Sequence, residues 1–175
     1  MDRKNRFDYT IFLIGFMGSG KTAVADGLSK LLGLKRIEMD HLLVEEQQMS
    51  ITDIFEQYGE THFRDLESST LMELHKKSPV IVSCGGGIVM RSENITYMKK
   101  HGKIILLTAS PETIFARVKN NKERPLLNKN MNIDFIRSLM EKRQESYENA
   151  ADIIVETDHK SVADICNEII QKLKN

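Results

Sequence analysis

Apolar positions along this chain follow two periods that alternate from one end to the other. Short apolar runs rich in β-branched residues occupy 9–14, 79–84, 103–108 and 153–156. They have the length and composition of buried strands. The segment 35–40 reads as a further short strand. Between these runs, apolar residues recur three and four apart. Val24, Leu28, Leu31 and Leu32 do so within 23–32, and Phe63, Leu66, Thr70, Leu71 and Leu74 within 60–77. Ile133, Ile136, Met140, Arg143 and Tyr147 form a third such stripe within 133–150. This spacing predicts helices with one inward face. Segments 51–58, 111–120 and 161–174 read as helices as well, with Pro111 well placed in a first turn. Continuous rather than alternating apolar strands, separated by helices, predict a parallel sheet covered on both faces. Ligands of such sheets gather at the carboxyl ends of the strands.

One segment breaks the order. Residues 121–132 are rich in Asn and Lys and carry no apolar period. A polar loop of this length in a compact domain is uncommon and reads either as a lid or as a surface loop without function. No repeat, low-complexity tract or linker divides the chain, so 1–175 is expected to be a single domain.

Composition narrows the function classes. Hydrophobic residues at 41% and charged residues at 29% fit a globular protein. Lys+Arg and Asp+Glu both number 25, giving no overall field to favour nucleic acid or an anionic membrane. Residues 1–8 are too polar for a secretory leader, and the run at 9–14 is far too short to span a bilayer. Cys84 and Cys166 lie far apart, without metal-ligand spacing. A reducing, cytoplasmic setting is the expectation.

The sharpest chemical signal is Gly15-Phe16-Met17-Gly18-Ser19-Gly20-Lys21-Thr22, which fits G-x-x-x-x-G-K-[ST] between a predicted strand and a predicted helix. In that context the backbone N–H groups of Gly18, Ser19, Gly20, Lys21 and Thr22 cradle phosphate oxygens at a helix N-terminus. Lys21 reaches the β/γ-phosphates and the Thr22 hydroxyl ligates Mg²⁺. The motif predicts binding of a nucleoside triphosphate.

Other candidates leave alternatives open. On a strand, Glu38 and Asp40 would share one face about 6.6 Å apart. There they would order Mg²⁺ waters or take a proton from a substrate hydroxyl, or else form a solvated strand end. Arg143, on an inward stripe, needs an anion: a substrate carboxylate or phosphate, or a structural ion-pair partner. Arg64 is either a binding residue at a core boundary or a surface arginine paired with Glu60 or Glu67. Gly85-Gly86-Gly87 after a buried strand implies close backbone approach or positive φ. No acidic Walker B residue ends that strand. Cys84 reads as core packing, since no histidine partner marks it as a nucleophile.

The P-loop, the acidic strand end, Phe63-Arg64, Gly85-Gly86-Gly87, Arg124-Pro125-Leu126-Leu127 and Lys142-Arg143 followed by Tyr147 resemble, in order and spacing, the shikimate kinases. These belong to the nucleoside-monophosphate-kinase-like P-loop group, and the resemblance spans nearly the whole chain. The P-loop alone marks a superfamily, whereas the triple glycine with R-P-L-L and the late K-R…Y is specific. The resemblance implies an α/β P-loop NTPase sandwich of three layers, with a five-stranded parallel sheet of order 2-3-1-4-5. It adds a lid at 121–132 and a small helical substrate-binding region at about 39–71. It further implies ATP-dependent phosphorylation of the shikimate 3-hydroxyl, with Mg²⁺, by a cytoplasmic monomer in chorismate and aromatic amino-acid synthesis.

By the same resemblance, Gly18 to Thr22 and Ala23 hold ATP, and Arg117 and Lys160 flank adenine. Asp40 binds the substrate hydroxyls and acts as base. Arg64 and Arg143 grip the carboxylate, Gly85, Gly86 and Gly87 line the ring, and Arg124 reaches the transferring phosphate. The family usually shows Asp-x-Asp where this chain has Glu38-Met39-Asp40. Glu38 then acts on Mg²⁺ through water with a longer arm. Two rivals stand beside this reading: a related small-molecule kinase of the gluconate type, and a nucleotide-binding domain without catalysis.

Overall fold

The computed structural model describes residues 7–77, 79–119 and 132–175. The expected lid, except for Asn132, lies outside the described residues, and Arg124 with it. Five strands, β1 (Thr10–Ile14), β2 (Lys35–Glu38), β3 (Val80–Ser83), β4 (Gly102–Thr108) and β5 (Ile153–Glu156), form one sheet of order β2-β3-β1-β4-β5. Every pairing is parallel, with Leu13 of β1 opposite both Ser83 and Ile105, and Glu38 of β2 opposite Ser83. The expected order and parallel sense are therefore both present.

The strands are apolar throughout because both faces are covered. On one face Ile11, Leu13, Ile81, Ile105, Leu107 and Val155 pack against α1 (Lys21–Leu32) and α7 (Val162–Lys174) through Val24, Leu28, Ile165 and Ile169. On the other, Phe12, Ile14, Val80, Val82, Ile104 and Leu106 meet residues from α3 (Ile51–Glu73), α4 (Ser92–His101) and α6 (Ile133–Ala150). Each fully buried aliphatic side chain contributes about 1.5–3 kcal/mol. The two-sided strand β1, with no exposed residue, is thereby fixed at the centre, and its carboxyl end carries the P-loop.

The structure departs from the sequence reading in four places. The second strand stops at Glu38, and α2 (Met39–Gln47) begins at once, so Asp40 sits in the first turn of a helix. Alternation of Ile37 and Met39 mimics a strand. In fact Met39 packs into the sheet core and Leu43, one helical turn later, packs against α3. Helix α4 was not expected, because only Asn94 and Met98 of its ten residues are buried and no apolar stripe announces it. Leu31, placed on the inner stripe of α1, is 57% exposed, while Leu32 packs inward at the helix end. Last, the helices expected at 51–58 and 60–77 run together as α3, broken at Gly59 with φ 81° and ψ 174°, and close in a 3₁₀ turn at Leu74–Lys77. That backbone state belongs essentially to glycine. Helix α5 (Pro111–Val118) stands beside the P-loop. No helix among the described residues is long and apolar enough to cross a membrane.

Candidate active site

The P-loop leaves β1 at Gly15 and enters α1 at Lys21, with Gly18 at φ 77° and Gly20 at φ 100°. Gly20 is the N-cap of α1 and offers no side chain to accept from the first-turn amides; no acidic residue lies in that turn either. These N–H groups, together with the positive end of the helix dipole, form an anion site in want of an acceptor. Exposed Ala23 lies in the same turn. Ser19 is wholly buried, with its N–H donating to the Phe16 carbonyl at 3.1 Å. Lys21 Nζ donates to the carbonyls of Gly15 at 2.9 Å and Phe16 at 3.1 Å, so its ammonium is folded back over the loop.

Beside Lys21, the Thr22 hydroxyl donates to Glu38 Oε2 at 3.0 Å, and the Ser83 hydroxyl donates to Glu38 Oε1 at 2.7 Å. The carboxylate absent from the end of β3 is thus supplied by the neighbouring strand β2, held in register by the Glu38–Ser83 pairing. Sequence reasoning missed Ser83, although a polar residue closing an apolar run is a visible signal. Among the described residues no group of three or more His, Cys, Asp and Glu side chains clusters as an all-protein metal cage. Mg²⁺ does not need one. It is held by one or two protein oxygens together with phosphates and waters, and the hard oxygen pair of Thr22 and Glu38 fits that requirement.

The triple glycine forms the floor of a second corner. A Cβ on Gly87 would lie 2.2–2.4 Å from the Arg64 guanidinium, and one on Gly85 would lie 2.4 Å from Glu67 Oε1 and 3.1 Å from Asp40 Oδ1. One on Gly86 would stand 3.8 Å from the Tyr147 hydroxyl, 3.9 Å from the Met17 amide nitrogen and 4.0 Å from Arg143 Nη1. The glycines are bare because five side chains converge on their backbone, within reach of the P-loop. Asp40, Arg64 and Arg143 come together here as expected, despite the helical placement of Asp40.

Arg64 is only 11% exposed; its guanidinium stacks on the Phe63 ring and donates to Glu67 at 2.8 Å and Glu60 at 3.3 Å. Both carboxylates named as surface partners are therefore real, but Glu67 is 2% exposed, with Oε1 lacking a hydrogen-bond partner among the described residues. Burial raises its pKa above the ordinary glutamate value, against the pull of Arg64. Glu67 stands four residues after Phe63 and four before Leu71, on the apolar stripe, and that placement was its overlooked signal. Asp40 is half-buried and makes no hydrogen bond or ion pair among the described residues. Arg143 pairs with no carboxylate there either; its guanidinium lies beside the Tyr147 hydroxyl at Gly86 and favours ionisation of that hydroxyl. The thiol of Cys84 is fully buried and its pKa is pushed up by burial, as a core residue requires.

At the opposite end of the P-loop, Arg117 Nη1 donates to the Gly18 carbonyl at 3.0 Å and to the Thr157 hydroxyl at 3.2 Å. This ties the loop to the turn after β5. Asp158 in that turn accepts from the Ser110 amide and hydroxyl and from Thr113. Desolvation opposes its ionisation, yet these bonds and Arg117 hold its pKa below the usual range. Lys160 is not drawn to Arg117: its Nζ pairs with Glu168 of α7 at 2.7 Å.

A family model described as shikimate kinase matches residues 17–174. The chain belongs to the shikimate kinase family. A shikimate kinase from Dehalococcoides mccartyi is 41% identical over 164 residues, covering 94% of this chain and 93% of that protein. A solved shikimate kinase from Acinetobacter baumannii, in complex with shikimate, superposes with a TM-score of 0.90 at 31% identity, over 95% of this chain and 93% of that one. A gluconokinase from Sinorhizobium meliloti, at 18% identity and a TM-score of 0.61 over 97% and 94% of the two chains, shares the fold alone.

Proposed function

We propose that this chain transfers the γ-phosphoryl group of ATP to the 3-hydroxyl of shikimate, giving shikimate 3-phosphate and ADP for chorismate and aromatic amino-acid synthesis. The observation that carries the reading is the corner at Gly85–Gly87, where two arginines from separate helices and two acidic side chains, Asp40 and Glu67, surround a bare backbone beside the P-loop. Shikimate has the complementary chemistry, a carboxylate on a ring of hydroxyls. Arg64 and Arg143 grip the carboxylate as charge-assisted donors, and Asp40 accepts hydrogen bonds from the hydroxyls. Segment 39–71, the α2–α3 region, is the substrate-binding part of a single kinase domain that acts as a cytoplasmic monomer.

The transfer asks the protein mainly for positioning and charge neutralisation. Asp40 orients the 3-hydroxyl and takes its proton as the oxygen bonds to the γ-phosphorus and the bond to ADP breaks. Lys21 exchanges its loop carbonyls for β/γ-phosphate oxygens. Thr22 would hold Mg²⁺ directly and Glu38 through water, and the bound ion would supply neutralisation of charge on the phosphates. Arg117 borders the adenine, with Lys160 nearby in the turn after β5. Arg124 lies outside the described residues, and its part in stabilising the transferred group rests on the R-P-L-L motif.

Coupled ADP-release assays with shikimate, quinate and gluconate test the substrate. Turnover of shikimate well above the other two is expected; turnover of gluconate without shikimate would reject the reading. No turnover of any acid would favour a silent nucleotide-binding domain. Arg143→Ala should cost about 2–5 kcal/mol of productive shikimate binding, by analogy with breaking one partner of a buried charge pair. Equal weakening of ATP would remove Arg143 from the carboxylate site.

A further inference from the structure

Tyr147 is the least explained member of the corner. It lies on α6 one turn after Arg143, is 4% exposed, and directs its hydroxyl at the triple glycine. The hydroxyl donates to the Gly86 carbonyl, and a Cβ on Gly86 would stand 3.8 Å from that hydroxyl and 4.0 Å from Arg143 Nη1. One bond thus links a backbone segment of the site to the helix that carries Arg143. Burial, against the influence of Arg143, pushes its pKa up to about 12, so the hydroxyl keeps its proton to donate at neutral pH.

We infer that Tyr147 is a positioning residue for the acid-recognition corner, holding the Gly86 carbonyl against the turn of α6 that carries Arg143. The inference deepens the shikimate reading and rests on it for the identity of the acid. Two observations support a positioning role over simple packing. Gly86 has no side chain to lock its peptide plane, so the bond to its carbonyl aims the adjoining peptides. The ring of Tyr147 also borders a cavity of ≈ 220 Å³, shared with Phe16, Leu106, Met140 and Gln144. Packing on that side leaves room, and the hydrogen bond to Gly86 sets the orientation of the ring.

The test is Tyr147→Phe, which deletes the hydroxyl and retains the ring. The KM for shikimate should rise about 2- to 10-fold, the range expected on losing a hydrogen bond between uncharged groups. The KM for ATP and the thermal midpoint should hold, and kcat should change little. An unchanged shikimate KM, or equal rises for both substrates, would overturn the inference. A double-mutant cycle adds a second readout. In an Arg143→Ala background the same change should cost less, and full additivity would show that the hydroxyl acts without Arg143. A third arm needs no substrate: in the unliganded protein, the Gly86 amide and Arg143 Nε–H resonances should both shift in Tyr147→Phe. Unmoved resonances would overturn the positioning role even if the wild type proved to phosphorylate another acid. Failure of the wild type on shikimate alone would defeat only the substrate assignment.

Discussion

Glu38 and Asp40 stand two residues apart yet belong to different elements and face different partners. Glu38 ends a strand with its carboxylate held by Thr22 and Ser83, whereas Asp40 opens a helix with its carboxylate against the Gly85 backbone. Under the proposed function, Glu38 serves the metal side of the phosphates and Asp40 the acceptor hydroxyl. Asp40→Asn preserves shape and hydrogen-bonding reach but removes the base. It should lower kcat by about 10²–10⁴-fold while ATP still binds. Glu38→Gln should instead raise the Mg²⁺ concentration needed for activity, as changes to outer-shell partners do. Initial rates across a Mg²⁺ titration separate the two roles. Rescue of Asp40→Asn by high Mg²⁺, without rescue of Glu38→Gln, would mean that the roles are reversed.

At the scale of the element, α3 is two helices joined at a glycine. Its first part is capped by Ser50, whose hydroxyl accepts from the Asp53 amide at 3.1 Å, and its second carries Phe63, Arg64 and Glu67 into the corner. Gly59 has open space around its Cβ position. A methyl group there meets no clash, and the cost of substitution is wholly one of backbone. Gly59→Ala should therefore destabilise the fold by about 1–3 kcal/mol, measured by urea denaturation. The bend also aims Arg64, so the KM for shikimate should rise alongside. A fully stable variant with wild-type kinetics would show that the break at Gly59 is incidental. The elements hardest to read from sequence were α2 and α4. Each buries only two side chains, and tertiary contact rather than an amphipathic stripe holds them helical.

For the molecule as a whole, placing a carboxyl group inside the corner couples stability to pH. The Glu67 pKa is raised in the fold chiefly by burial, above an ordinary value of 4.5. A raised pKa means that the folded state favours the protonated form. The stabilisation is fully present below 4.5 and is lost as pH rises through the folded-state value. The stability of the wild type relative to Glu67→Gln should therefore fall as pH increases across that window, in urea denaturation at a series of pH values. A difference that grows with pH would show that pairing with Arg64 outweighs burial. The sequence by itself determined the phosphate end of this protein: Gly15 to Thr22 form a local motif, and a strand, a loop and a helix N-terminus need no distant partner to be recognised. Continuous apolar strands likewise announced a parallel sheet covered on both faces, since such runs are stable only when buried twice. The tertiary structure decided what lies between distant segments. Ser83 meets Glu38 only because β2 and β3 pair in that register. The convergence of Asp40, Arg64, Glu67, Arg143 and Tyr147 on one glycine turn depends on how α2, α3 and α6 lean over the sheet. Side-chain period reports which face of an element is buried, and it carries no information about which other element will cover it.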